Sequence, residues 1–580
     1  MSPRSDHLIL FSKKALNEPS GNQTFFERNW SLGWANFLLQ EAGSYNLASI
    51  EDFDFKDLAS HRFIYLPSSI ASSLEKKHDA LFKSYVEGGG VLIGEGLVSN
   101  FLSFSPVSFS PEIKSLKKIT RAENDFSSAK FLLPMPFQTT GWKAQSVSPE
   151  VKILLDMEGM PVLFKQSMGA GHLFFLGFNF GSLLVGLQQG IPVRGERRLE
   201  KLFGTQERVI EPEDLVLKAA YLDNSTPWAD LFERFLFKLI TADRPAPRWW
   251  YFPGTHTGCL INSHDEEAIG SDPRLESMWK EEISEGVKST TFVISDQKLK
   301  QRWSGNGGLC ARNGKGSEIA LHWNRFQKPR LKLRRFRWGM HEEPLEGQIK
   351  ALEKETKQTV RLNRTHYLAL GEVYGAHFEF LGAQGIVLDS TYGPNQVGRG
   401  YLFGTGYPYY GMTWEGQLSG VLELPFVTQE TWGGADLEFL KLLITESDEN
   451  FHQVVAINFH PHYTVLQKKG KAMWLGGLRY AKERKQWMPT FGEFHNFFTG
   501  RRASQFWSRF EGNILEVFAI SQHSYGTLSL PHKISSGRCL SSVEVDGIRK
   551  IPLKIINAWS EESLVPVPQG ASQVRAIYGG

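Results

Sequence analysis

Cysteine is scarce in this chain of 580 residues: Cys259, Cys310 and Cys539 stand far apart. An odd, scattered set argues against a disulfide framework and against a cysteine-built zinc site. Long apolar runs are missing too, with no stretch near the ~18 uninterrupted apolar residues of a membrane-spanning helix. The first apolar run, Leu8–Phe11, is too short for a signal-peptide core and no cleavage-site pattern follows it, so the chain as written is expected to be cytoplasmic. Charge of one sign is also lacking. A net charge of +3 gives no reason to expect a nucleic-acid partner. The basic cluster Lys328–Arg337 lacks the flanking motifs of a nucleic-acid module and reads either as a solvated loop or as a contact for an anionic glycan. Internal repeats and low-complexity tracts are absent as well.

What is present is aromatic. The chain holds 16 Trp and 41 Phe, which fits either aromatic-rich cores or rings that pack on sugar faces. Its length exceeds one hydrophobic core, and two to four domains are expected.

Residues 1–245 alternate strands and helices. Leu8–Phe11 and Arg62–Leu66 are strand-like, and Leu74–Glu87 has helical spacing. Gly88-Gly-Gly90 stops that helix before the strand Val91–Ile93, and Gly171–Gly177 adds another strand. Helix, glycine stop and buried strand is the order of a parallel α/β unit. Thr241–Tyr251, with Pro245, Pro247 and Trp249-Trp250, reads as a boundary linker. Residues 246–502 alternate again, with strands expected at Gly258–Asn262, Thr290–Ile294, Glu318–Leu321, Gly385–Leu388 and Val454–Phe459 and a helix at Leu345–Thr356. Residues 503–580 carry short strands separated by Gly, Pro and Ser, the pattern of a small all-β domain, a sandwich.

The titratable residues gather at the ends of the central strands. Ser263-His-Asp-Glu-Glu267 closes the first, and alternation places Asp265 and Glu267 on one face. Two carboxylates on one face repel, so one can hold a metal or take up a proton at raised pKa. Read alone, the run is equally an exposed acidic turn opening a helix. His322 ends a second strand, Arg364 and His366 lie two apart in a third, Asp389 ends a fourth, and His460 and His462 end a fifth. Five titratable endings on five successive strands describe one shared mouth.

This series resembles the polysaccharide deacetylase (NodB-like, carbohydrate esterase family four) domain over about residues 250–500, in its divergent branch with a His-Asp-x-Asp first motif. His264-Asp-Glu-Glu267, Ala320-Leu-His322, Asn363-Arg-Thr-His-Tyr-Leu368, Gly385-Ile-Val-Leu-Asp-Ser-Thr391 and Gly400–Pro408 carry the likeness. Tyr85–Leu92 is similar to a stretch of the class-I glutamine-amidotransferase-like fold. No Cys precedes residue 259, so the amidotransferase nucleophile is missing and a non-catalytic scaffold is expected there.

The expected fold is therefore α/β and multidomain: a flavodoxin- or amidotransferase-like domain, a central distorted (β/α)7 barrel, and a small all-β domain. The resemblance implies metal-assisted removal of N-acetyl groups from a sugar or polysaccharide. It implies Asp265 as general base, Glu267 (with Glu266 as rival) and His322 as metal ligands, Arg364 orienting the base, Asp389 supporting the far side, and His460 or His462 protonating the amine. The cofactor expected is a divalent metal, Zn²⁺ first. Phe326 stands where the family's second motif has its second His, so His366, or next His341, would supply the third ligand. Glu for Asp at 267 adds one methylene. The alternative is a non-catalytic glycan-binding or assembly protein on the same fold. A third reading, hydrolysis of a small amide, calls for a deep closed pocket rather than an open groove lined by aromatics.

Overall fold

The computed structural model describes residues 5–18, 23–122, 132, 135–192, 210–216, 221–267, 273–295, 317–327, 341–342, 345–371, 373–557 and 561–579. Cys310, the Lys328–Arg337 cluster and the side chains of Phe326 and His341 lie outside the described residues. The architecture is mixed α/β, and no helix among the described residues is long and apolar enough to cross a membrane.

The first sheet has eight strands: β1 (His7–Phe11), β2 (Asn46–Ser49), β3 (Phe63–Leu66), β4 (Val91–Glu95), β5 (Ile119–Ala122), β6 (Lys152–Met157), β7 (Met160–Met168) and β8 (Gly171–Leu176). Their order is β2-β1-β3-β4-β8-β7-β6-β5. The five strands β2-β1-β3-β4-β8 are parallel, in the 2-1-3-4-5 order of a doubly wound, flavodoxin-like sheet. The last three strands add an antiparallel extension. Helix α1 (Lys76–Glu87) ends at Gly88 as expected, and Gly89 takes φ +109°, which a side chain would disfavour.

The second sheet has nine strands: β9 (Cys259–Glu266), β10 (Ser289–Val293), β11 (Ser317–Trp323), β12 (Leu362–Thr365), β13 (Leu388–Asp389), β14 (Tyr409–Met412), β15 (Leu418–Glu423), β16 (Thr428–Gln429) and β17 (Val454–Asn458). They run in the order β14-β15-β13-β12-β11-β10-β9-β17-β16, parallel throughout except for the β14–β15 pair. The edge strands β14 and β16 do not pair with one another. Where a barrel is expected, the ladder stays open as a curled half-barrel. The curl has a physical signature: Asp265 of β9 and Arg364 of β12 are hydrogen bonded at 2.8 Å. In a flat sheet three strand spacings would hold those backbones roughly 14 Å apart, beyond such a contact.

Helix α2 (Trp228–Thr241) ties the two sheets together. Its buried Asp230 accepts hydrogen bonds from Thr405 Oγ1 at 2.6 Å and Gly406 N at 2.9 Å. Burial pushes this carboxyl up to about 7, against the hydrogen bonds from Thr405 and Gly406. The Gly400–Pro408 motif thus anchors the fold here. Thr241–Tyr251, expected as a linker, is built into the structure. Arg248 and Trp249 pair antiparallel with Ser529 and Leu528, and Trp249, Trp250 and Tyr251 are buried. The aromatic side chains explain this, because a solvated linker would leave three large rings in water.

The C-terminal strands form a five-stranded and a four-stranded sheet, the latter including Arg248–Trp249. Residues of both sheets, among them Phe506, Val517, Leu528, Leu564 and Val574, are buried. The strand expected at Lys550–Ile555 is broken at Pro552 into Ile548–Lys550 and Leu553–Ile556, since proline cannot donate to a ladder.

Candidate active site

The parallel register brings the polar strand endings together. Ser263 of β9 pairs with Asn458 of β17, and His322 of β11 pairs with Arg364 of β12. Paired residues share a face, and residues two apart on a strand share it too. Asp265, Asn458, His322 and Arg364 therefore project into the inside of the curl. His264 points the other way, between Phe459 O at 3.0 Å and Glu282 Oε1 at 2.6 Å, in a buried structural contact.

Asp265 is 2 % exposed and clamped from both sides. Arg364 Nη1 donates to Oδ1 at 2.8 Å, and Asn458 Nδ2 donates to Oδ2 at 2.7 Å. Burial works against its charge, but Arg364, His322 and His460 outweigh that and hold its pKa below the usual carboxylate value. Arg364 is itself fixed. It donates to Ser263 Oγ, Ser390 O and Ser390 Oγ, and its guanidinium lies 4.3 Å from the Phe292 ring centre and 4.8 Å from that of Phe426.

Glu267 follows β9 and keeps 28 % of its side chain exposed. Three imidazoles surround its Oε1: His366 Nε2 at 3.2 Å, His460 Nε2 at 3.5 Å and His322 Nε2 at 3.6 Å. Candidate ligand atoms of Glu267, His322 and His366 lie within 4.8 Å of one another. His322 Nδ1 donates to Arg364 O at 2.9 Å, and His366 Nδ1 meets Asn324 Oδ1 at 3.0 Å. Each contact places the proton on Nδ1 and leaves Nε2 with a lone pair. Both Nε2 atoms are buried and make no hydrogen bond among the described residues. Two orphaned imidazole nitrogens beside a carboxylate form a donor set that fits a divalent cation with a vacant position for water or substrate.

His460 stands across from Asp265, with Nε2 3.9 Å from Asp265 Oδ2. Glu430 Oε1 accepts from His460 Nδ1 at 2.9 Å and also from the His460 backbone N–H. Burial would lower the His460 pKa, but Glu430 and Glu267 raise it well above the ordinary value, so the ring carries both protons near neutrality. Glu430 has φ +41°, a conformation that costs a non-glycine residue energy and is retained at sites where the surroundings demand it.

The structure thus brings Asp265, Glu267, His322, Arg364, His366 and His460 together. Asp389 stands outside this cluster. It accepts from Asn363 Nδ2 at 2.8 Å and Thr391 Oγ1 at 2.9 Å and pairs with His377 Nε2 at 2.8 Å. Its neighbour Glu423 is pushed well above the usual carboxylate value by burial and by Asp389. Sequence reasoning missed Asn458, Asn324 and Glu430. The first two were accessible, because each lies two residues from a flagged His on the same strand or strand exit. Glu430 carried no local signal.

The mouth is rimmed by aromatics. Tyr367 stacks on His366 at 3.9 Å between ring centres and is 37 % exposed. On the other side Trp432 lies 5.6 Å from both His460 and Tyr463, and Tyr463 is also 37 % exposed.

No family model matches the chain, and no curated protein matches it significantly. Among solved structures, it is similar to Agd3, a carbohydrate deacetylase, at 9 % identity and TM-score 0.37 over 99 % of this chain and 98 % of that one. A protein of Mycobacterium smegmatis described as a polysaccharide deacetylase aligns at 14 % identity and TM-score 0.30, over 44 % of this chain and 94 % of its own. Gan42B, a GH42 β-galactosidase, aligns at 12 % identity and TM-score 0.23, and there the match spans 30 % of this chain and 27 % of that one.

Proposed function

We propose that the chain is a metal-dependent hydrolase that removes N-acetyl groups from an N-acetylated sugar or polysaccharide. The observation that carries this reading is the pair of buried, unpartnered Nε2 atoms of His322 and His366 facing Glu267, with an ionised carboxylate and a doubly protonated imidazole on opposite sides. Glu267, His322 and His366 would hold the cation, Zn²⁺ by donor type. When bound, the cation polarises the acetyl carbonyl and makes a water more acidic.

The remaining steps belong to side chains. Asp265, ionised and held in plane by Arg364 and Asn458, accepts a proton as water oxygen attacks the carbonyl carbon. His460 gives its Nε2 proton to the departing nitrogen as the C–N bond breaks, and Glu430 stabilises the proton-bearing ring until that moment. Acetate and a free amine result. The exposed rings of Tyr367 and Tyr463, with half-buried Trp432 beside the latter, support a sugar substrate over a small amide, because flat faces at an open mouth suit pyranose rings.

The test is acetate release from N-acetyl-hexosamine oligomers by protein loaded with Zn²⁺. Release that disappears in Asp265→Asn supports the reading. Binding of the oligomers without any acetate release from the parent would instead point to a glycan-binding protein.

A further inference from the structure

We propose that Asn324 is a positioning residue that makes His366 a metal ligand, in place of the second histidine missing from the strand-exit motif His322-Trp-Asn-Arg-Phe326. This rests on the reading of Glu267, His322 and His366 as a metal site.

The geometry starts at β11. Asn324 lies two residues beyond His322, directly after the end of the strand at Trp323. Its Oδ1 sits 3.0 Å from His366 Nδ1. An amide oxygen can only accept, so this contact places the proton on Nδ1 and leaves the Nε2 lone pair for a cation shared with Glu267 Oε1, 3.2 Å away. His322 gets the same treatment from the carbonyl of Arg364. The two imidazoles are thereby locked in one tautomer by partners on two neighbouring strands.

Asn324 is held in turn. Gln348, on the helix Leu345–Thr356, accepts from Asn324 N at 2.9 Å through Oε1 and donates to Asn324 O at 2.8 Å through Nε2. Ser295 Oγ donates to the Gln348 carbonyl at 2.8 Å. The chain Ser295–Gln348–Asn324–His366 runs from the exit of β10 through the helix to the exit of β12, and all four residues are buried or half-buried. A surface asparagine would not need a glutamine spent on both of its backbone groups.

The backbone beyond His366 points the same way. Tyr367 and Leu368 both take left-handed φ, +58° and +53°. Two consecutive non-glycine residues in that region are strained, and such strain persists where a side chain must be held in a particular direction. Here the direction is that of the His366 ring, covered by Tyr367 on one face and capped at Nδ1 by Asn324.

Partners of this kind fix ring orientation and tautomer, and their loss typically lowers metal affinity 10–100-fold. The experiment uses the full chain, stripped of metal, and measures Zn²⁺ affinity by competition with a chromophoric chelator. The melting temperature of the metal-free protein serves as a fold control. Asn324→Leu removes the acceptor and is expected to weaken Zn²⁺ about 10–100-fold at an unchanged metal-free melting temperature. Asn324→Asp keeps an acceptor and adds charge, so its affinity should equal or exceed the parent's. A merely structural asparagine would not be rescued by aspartate while failing with leucine. If Asn324→Leu does not fold, Asn324→Ala takes its place with the same expected loss. Parent-like affinity in the Leu or Ala variant overturns the proposal, as does an Asp variant as weak as Leu. A parent that takes up no Zn²⁺ overturns the metal-site reading itself, and that result is distinguishable because it appears before any substitution is made.

Discussion

At the scale of single residues, the proposed base and the proposed acid are each surrounded by groups of opposite charge. Asp265 has Arg364 and two imidazoles around it, while His460 has Glu430 and Glu267. In the proposed mechanism the working forms are carboxylate and imidazolium, so activity should rise at a pH below the usual carboxylate range and fall only when the raised His460 loses its proton. Removing the charge of Glu430 removes one of the causes that raise His460. Glu430→Gln should therefore move the alkaline limb of the kcat/KM profile to lower pH by about one unit or more. An alkaline limb that stays put would mean another group supplies the proton. Much of this site could be read from the sequence. Asp265 and Glu267 share a face by simple alternation, and His322, Arg364, His366 and His460 mark strand endings. Glu430 could not be read, because its partner His460 lies 30 residues on and only the β16–β17 pairing brings the two together.

At the scale of elements, strands with continuous apolar runs were legible: the expected Leu345–Thr356 helix and the β10 and β17 strands agree with the structure to within a residue or so. The strand read as Gly258–Asn262 runs on through Glu266, since polar side chains inside a curl find partners that local sequence does not show. The Arg248–Trp249 strand was hidden because its partner lies in the last domain-sized stretch of chain. His452, just before β17, illustrates what such long-range burial does. Its Nδ1 donates to Thr257 O at 2.7 Å, and it is fully buried. Burial, with Arg234 nearby, lowers its pKa to about 3. The unfolded chain takes up this proton near 6.5 and the folded one does not until about 3. Stability is therefore complete above about pH 6.5 and is lost as the pH falls toward 3, at roughly 2 kcal/mol by pH 5. His452→Gln should flatten the fall of melting temperature between pH 7 and pH 5. A fall as steep as the parent's would assign the acid sensitivity elsewhere.

At the scale of the whole molecule, buried charge joins the helix Gly33–Glu41, the helix Phe491–Ala503 and the C-terminal strands. Arg248 donates to Glu41 at 3.1 Å and makes a two-pronged contact with Glu562, while Tyr251 O–H donates to Glu41 at 2.9 Å. Arg501 donates to the carbonyls of Leu39, Gln40, Trp249 and Trp250. Removing one member of such a pair leaves an uncompensated buried charge, so Arg248→Met should destabilise by about 3–5 kcal/mol. Pairing it with Glu562→Met should recover part of that loss in denaturant unfolding. A double variant no more stable than the single one would show that the pair is not coupled.

The central proposal is that one cation held by Glu267, His322 and His366 makes this chain a deacetylase. The most direct measurement is a Zn²⁺ titration of the stripped protein, following acetate release from an N-acetyl-hexosamine oligomer at each addition. The account predicts activity that climbs from near zero and levels off at one equivalent, with Glu267→Ala failing to recover it. Acetate release that is already full in the stripped protein, or that never appears at any Zn²⁺ loading, would contradict it.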